Sequence, residues 1–301
     1  MSATPAPAPD TSVFGGGPAS SLGAFAQLAS RADVAGLVAV VTGGSAGLGL
    51  YAAQALALSG AQVYILGRRA EVLEAAVASI PVDSPGKLVA VQGIAGRFMD
   101  NYGKGGFDTT NFEQMQSELD SFTEEEFSEI LAHAGTTVNT LGPYLCSTAF
   151  LPLLKQGTAW HATQAAGAWP RYTSQVMLVS SNAAVIKLPI INALYNMSKA
   201  ATSHFGAMLS TMLAESGIRC NTLEPGLYPS DMTAAQGARH AATGHRELEG
   251  TNGAAIPAGR AGWPHEHAAS VLYLASRASI FANGTRLRVD GGAVQKVPAT
   301  D

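Results

Sequence analysis

Leu37-Val38-Ala39-Val40-Val41-Thr42-Gly43-Gly44-Ser45-Ala46-Gly47-Leu48-Gly49 is the stretch that decides the fold. Its first five residues form a continuous apolar run of strand length, which suits a strand buried on both faces. The glycines that follow lead into Leu50–Leu58, which reads as a helix. Between a buried strand and a helix, such glycines permit a tight turn and close approach of a pyrophosphate. The helix N-terminus then offers free N–H groups and a favourable dipole. Gly43, Ser45, Gly47, Leu48 and Gly49 are therefore candidate dinucleotide-binding residues.

Outward from that loop, strand and helix alternate. Gln62–Leu66 reads as the second strand, Ala70–Ser79 as a helix with Val72, Leu73, Ala76 and Val77 as its stripe, and Leu88–Gln92 as a strand. An irregular segment runs to about Asn111. Thr123 and Glu126 then form a capping box ahead of Phe127, Ile130, Leu131 and Ala134. Further strands are read at Gln175–Val179, Ile218–Leu223 and Leu287–Val289, with a helix over Ala193–Glu215. Alternation with buried strands means α/β: a doubly wound parallel sheet covered by helices.

Composition narrows the classes. The 301 residues are 47% hydrophobic and only 13% charged, which excludes a disordered chain or a coiled coil. The net charge of −4 comes without a basic stripe, so nucleic acid is not an expected partner. No apolar window is long enough to cross a bilayer. Two cysteines, Cys146 and Cys220, make neither a disulfide framework nor a zinc spacing, and a reduced cytoplasmic protein is the simplest reading. His265 and His267 sit two apart on a helix and face apart, so no metal site is expected. Asn196 and Asn283 match the glycosylation sequon and are read as unused. Residues 1–35, rich in Ala, Pro, Ser and Gly at the start, are expected to be a tail with a short helix. Residues 36–301 are expected to form one domain.

Gly67-Arg68-Arg69 closes the second strand. Arg68 stands where a carboxylate would accept the ribose hydroxyls of NAD, and a guanidinium there favours the 2′-phosphate of NADP. Tyr195 and Lys199 lie four apart on one helix face. A phenol ordinarily titrates near pH 10, and an ammonium within reach lowers that value. Upstream, Ser180-Ser181 ends a strand at the carboxyl edge, where a hydroxyl can hold a substrate carbonyl.

Together, Thr42-Gly43-x-x-x-Gly47-x-Gly49, Ser181, Tyr195-x-x-x-Lys199 and Pro225-Gly226 resemble the short-chain dehydrogenase/reductase family. The likeness runs from about Gly36 to Gly292, including Asn283-Gly284-Thr285 and Val289-Asp290-Gly291-Gly292. It implies an NADP(H)-dependent oxidoreductase with Asn139, Ser181, Tyr195 and Lys199 as its acid–base group. Pro225, Gly226, Ser230 and Thr233 would lie beside the nicotinamide, with Tyr195 and Lys199 also touching cofactor. The run Leu227–Met232 resembles fungal ketoreductases. The family commonly pairs its long helices, which implies a homodimer or homotetramer. Here Phe205, Met208, Leu209, Met212 and Leu213 are read as a wide apolar face for such a partner. A redox-neutral enzyme with the same group, or a non-catalytic binding protein, remains open beside the reductase.

One region departs from the family. After the second helix there is room for a single strand before the irregular segment, and the family's Asn-Asn-Ala-Gly motif is absent. The acidic residue that touches adenine in the family is absent too, which implies weak binding at that end. Two placements arise for Leu88–Gln92: third strand or fourth. We expect the fourth, beside Leu37–Val41, because a central parallel strand without neighbours exposes unpaired backbone. The segment 97–111, with Phe98, Met99, Tyr102 and Phe107, would fold over the gap or the substrate, while Lys155–Ser174, with Trp160 and Trp169, reads as a second loop to which the sequence assigns no role.

Overall fold

A computed structural model describes residues 33–93, 113, 116, 137–164, 171–187, 193–230 and 256–300. Two parallel three-stranded sheets carry the architecture. The first orders β1 (Val38–Thr42), β2 (Gln62–Gly67) and β3 (Lys87–Gln92) as β1-β2-β3. The second orders β4 (Gln175–Val179), β5 (Arg219–Pro225) and β6 (Arg286–Val289) as β4-β5-β6. Helices α1 (Gly47–Leu58), α2 (Ala70–Ala78) and α5 (Pro264–Ala275) share one apolar core with β1, β2 and β3. Leu223 of β5 and Leu287 of β6 enter the same core, which joins the two sheets. Helices α3 (Gly142–Thr163) and α4 (Ala193–Met212) pack on β4 and β5 around Leu151, Leu178, Leu209 and Leu213.

The placement of β3 corrects the sequence reading. Leu88 pairs with Val63, and Ala90 with Ile65, so β3 flanks β2 at the sheet edge, in the third position. The reason is handedness rather than reach. Leu73 and Ala76 of α2 bury into the same layer as Ala52–Ala57 of α1. A right-handed crossover whose helix lies on that face must carry the chain onward past β2, not back across β1. The connection is also tight. Lys87 N–H donates to the Ala61 carbonyl at 3.1 Å, and a Cβ on Gly86 would stand 2.4 Å from the Ala57 oxygen.

A second correction follows on β1, which is buried on one face only. Ala39 and Val41 pack into the core, whereas Val38 is 70% exposed. Among the described residues, β1 and β4 have no strand partner on their second edges.

Helix α3 runs through Thr163 and so absorbs the first half of the stretch read as a loop from Lys155. Gly157 serves packing within it, since a Cβ there would stand 2.7 Å from Ser174 Oγ, just ahead of β4. On α4, Leu209, Met212 and Leu213 are core residues and Phe205 packs against Tyr144, so only Met208 of the expected wide face points outward. The sequon amides are structurally engaged: Asn196 Nδ2 donates to the Ile186 carbonyl, and Asn283 Nδ2 donates to the Ser210 carbonyl. No helix among the described residues is long and apolar enough to cross a membrane. Residues 1–32, the segment 97–111, the Thr123–Ala134 helix, Trp169 and Asp231–Thr233 lie outside the described residues.

Candidate active site

The glycine loop closes β1 onto α1 with the backbone the sequence requires. Gly43 (φ 66°) and Gly47 (φ 52°) take left-handed conformations that other residues resist. At Gly49 the constraint is space, since a Cβ would stand 2.4 Å from the Gly43 carbonyl oxygen. Helix α1 begins without a side-chain cap and without an acidic residue in its first turn. Its leading N–H groups, from Gly47, Leu48 and Gly49, are thus open to an anion.

Ser45 Oγ lies over Gly67 at the end of β2; a Cβ on Gly67 would come within 3.1 Å of it. Arg68 follows, exposed and without an ion pair among the described residues. Its carbonyl accepts from Gln92 Nε2 at 3.2 Å, so β3 steadies the turn that presents this guanidinium. Opposite the loop, Ser230 Cβ would be 3.4 Å from a Cβ on Gly47, and Tyr51 Oη donates to the Pro229 carbonyl. Gly226 N–H donates to the Val289 carbonyl at 3.0 Å, and a Cβ on Gly226 would stand 2.6 Å from Asp290 Cα. The glycine loop and the Pro225–Ser230 loop therefore lie side by side. The geometry fits a dinucleotide: a loop turned by Gly43 and Gly47 with no room for a Cβ at Gly49, an uncapped helix end, and the exposed Arg68 guanidinium beside it.

Tyr195, Ser181, Lys199 and Asn139 converge on one wall. Ser181 caps the short turn Asn182–Ala184, accepting from Ala183 N–H at 3.2 Å. It also shares a hydrogen bond with the Tyr195 phenol. Ser180 turns away, donating to the Lys199 carbonyl at 2.7 Å, so Ser181 is the serine that meets the tyrosine. Burial pushes the Tyr195 phenol above its ordinary value, and the Ser181 bond only partly opposes this. Tyr195 therefore holds its proton at neutral pH.

Lys199 lies on the same helix face as Tyr195. Its Nζ sits 5.8 Å from the centroid of the Tyr195 ring and donates to the Val179 carbonyl at 3.2 Å. Ser180 N–H donates to Leu223 in the β4–β5 ladder, so by strand alternation the Val179 carbonyl points to the opposite, unpaired edge of β4. The ammonium thus fills a ladder position. Burial lowers its pKa to about 8.

Asn139 lies in a π-turn, Thr137–Leu141, at the entry to α3. Such turns break regular helix bonding where a side chain must be aimed. Asn139 Nδ2 donates to Ser198 Oγ at 3.0 Å, and Ser198 Oγ donates to the Tyr195 carbonyl at 2.8 Å. The asparagine is held one residue from Lys199.

Sequence reasoning missed Asn182 and Asp290 as supports of the wall. Asn182 Nδ2 donates to Asp290 Oδ2 at 3.4 Å, while Asp290 also accepts from the Gly292 and Val294 N–H groups. The tail motif at Val289–Gly292 was the available signal. Among the described residues, no His, Cys, Asp or Glu cluster could hold a metal ion.

Comparison with known proteins agrees with this geometry. The family model described as short chain dehydrogenase matches residues 37–95, and that described as Enoyl-(Acyl carrier protein) reductase matches residues 111–294. The short-chain dehydrogenase/reductase PhomF of Diaporthe leptostromiformis is 32% identical over 296 residues, covering 89% of this chain and 94% of that protein. A rhamnolipids biosynthesis 3-oxoacyl-[acyl-carrier-protein] reductase of Pseudomonas aeruginosa is 28% identical, covering 86% and 97%. The Pseudomonas aeruginosa RhlG/NADP active-site complex superposes with a TM-score of 0.61 at 25% identity, covering 86% of this chain and 96% of that one. With that match in length and motif order, the chain belongs to the short-chain dehydrogenase/reductase family of oxidoreductases.

Proposed function

We propose that this protein is an NADP(H)-dependent reductase of a ketone or related carbonyl on a small, secondary-metabolite-type substrate. The observation that carries the reading is the hydrogen bond between Ser181 and a half-buried Tyr195 whose surroundings favour its protonated form. Ser181 would hold the carbonyl oxygen and Tyr195 would deliver its proton to it. When bound, the nicotinamide would supply the hydride. Lys199 would orient the ribose, and Asn139, through Ser198, would keep the tyrosine helix in register. Two relatives support the choice of chemistry: one is named a 3-oxoacyl reductase, and one solved neighbour is a complex with NADP.

Fluorescence titration with NADPH, followed by a panel of ketones, tests the proposal. Absence of binding at high micromolar NADPH would sink it. Cofactor choice is tested at Arg68. Arg68→Ala should weaken NADPH by roughly 10- to 100-fold, the worth of a charge-assisted phosphate contact, and NADH far less. Equal losses for both cofactors would place Arg68 outside the phosphate pocket. Because Gln92 ends β3 and Gly93 follows it where the family has an adenine-binding acid, the adenine should add little to the affinity.

A redox-neutral reaction on the same wall has one observation in its favour: Lys199 is engaged by Val179 O rather than by the phenol. Turnover of a ketone without consumption of NADPH would select it.

The assembly we propose is a dimer or tetramer formed through α3 and α4. Met197, Ala201, His204 and Met208 form an exposed stripe at helical spacing on α4, and Leu153 is exposed on α3. Light scattering at micromolar concentration should show an oligomer, and Met208→Glu should shift it toward monomer. A monomeric parent would refute the proposal.

A further inference from the structure

Glu224 is a carboxylate with no exposed surface, in a strand buried along its whole length. Taking such a charge out of water is costly, and a buried ion pair is often no more stable than a well-packed apolar pair in its place. Stability alone therefore gives a weak reason for it to be there. Its partners suggest another. Oε2 accepts from Arg288 Nε at 3.1 Å and from Nη2 at 2.8 Å, with Arg286 at 3.8 Å from Oε1. Oε1 accepts from Ser203 Oγ at 2.9 Å. The one proton of Ser203 Oγ thus has two acceptors in reach, Glu224 Oε1 and, at 2.8 Å, Ser180 Oγ, which itself donates to the Lys199 carbonyl.

The contacts Arg288–Glu224–Ser203–Ser180–Lys199, with the Ser203 proton shared between Glu224 and Ser180, thus cross from β6 through β5 to α4 and to the end of β4. They end between Ser180, the neighbour of Ser181, and Lys199, one helical turn from Tyr195. We infer that Glu224 is a positioning residue: through Ser203 and Ser180 it sets the register of Tyr195 on α4 against Ser181 on β4. The inference rests on the reading of Tyr195 and Ser181 as the acid–base pair. Arg288 and Arg286 balance the charge from the edge strand, so the carboxylate stays fixed as an acceptor. A neutral amide at this place would lose the two-sided charge-assisted hold.

The test uses the full-length chain labelled with [ζ-13C]tyrosine, and the resonance lost in Tyr195→Phe identifies Tyr195. Ser203→Ala and Glu224→Gln should each move that resonance, because the phenol loses its set distance to Ser181. Ser210→Ala, at a buried serine of the same helix whose hydroxyl donates to the Ala207 carbonyl, should leave it in place. With a ketone substrate, the same two variants should lose roughly 10- to 100-fold in kcat while NADPH affinity holds. If Glu224→Gln does not fold, Ser203→Ala carries the test. The paired replacement Glu224→Leu/Arg288→Leu should recover the melting temperature yet leave the Tyr195 resonance displaced. A resonance unmoved in Ser203→Ala overturns the inference, as does its return to the parent position in the paired variant. The resonance needs no substrate, so failure of the reductase reading and failure of this one are told apart.

Discussion

Tyr195→Phe should lower carbonyl reduction by roughly 100- to 10,000-fold while leaving the melting temperature and NADPH affinity nearly unchanged. The substitution removes one hydroxyl, which is the proton donor, and keeps the ring that packs beside Lys199. Because burial holds the phenol above its ordinary value, it is protonated throughout the neutral range, the form a reduction consumes. Ser181→Ala should also be damaging, since it removes both the substrate contact and the bond that partly counters the effect of burial. Lys199 adds a pH signature. Its ammonium titrates near 8, so reduction should decline above that pH as the charge is lost, with the fold intact. Activity above a few per cent of the parent in Tyr195→Phe would mean the proton comes from elsewhere.

His267 should make the protein acid-labile before most of its carboxylates titrate. The imidazole sits in α5, is 2% exposed, and leaves Nε2 without a hydrogen-bond partner. Burial lowers its pKa from 6.5 to about 4. The folded state therefore keeps His267 neutral while the unfolded state takes up a proton below pH 6.5. By linkage, stability falls as the pH drops from 6.5 toward 4 and levels off below that. The contribution reaches about 2 kcal/mol at pH 5 and about 3 kcal/mol in full. The Tyr228 ring packs against the imidazole with centroids 5.8 Å apart. Urea denaturation of the parent and of His267→Leu at pH 7.5 and pH 5.0 should show the parent losing more between the two. Equal losses would show that His267 is not the group responsible.

The parts of the site legible in sequence were those in which a local constraint and a chemical need coincide. Gly43 and Gly47 must accept positive φ, and Gly49 must lack a Cβ, whatever the rest of the chain does. Tyr195 and Lys199 share a face because four residues make one helical turn. Ser181 sits at the end of a strand whose apolar run is visible in the sequence. Parallel strands alternating with helices follow from the same patterns, since each apolar stripe needs a layer to bury against.

What only the tertiary structure decided are relations between elements, which no local pattern encodes. The stripe of Val72, Leu73, Ala76 and Val77 shows that α2 packs, but not on which face of the sheet; that face, with right-handed crossover, sends β3 to the outer side of β2. The apolar run of Leu37–Val41 cannot say whether a helix will cover Val38 and Val40, and none of those described does. The place of Lys199 depends on the Val179 carbonyl, a ladder acceptor left open on the second edge of β4. Glu224, an isolated acid in an apolar strand, becomes intelligible only when Arg288, sixty-four residues on, and Ser203, twenty-one residues back, are brought to it. Residue type and spacing determined which groups this protein carries and how its strands and helices alternate; tertiary packing decided which partners those groups meet, because contacts between distant segments are set by layer, handedness and edge.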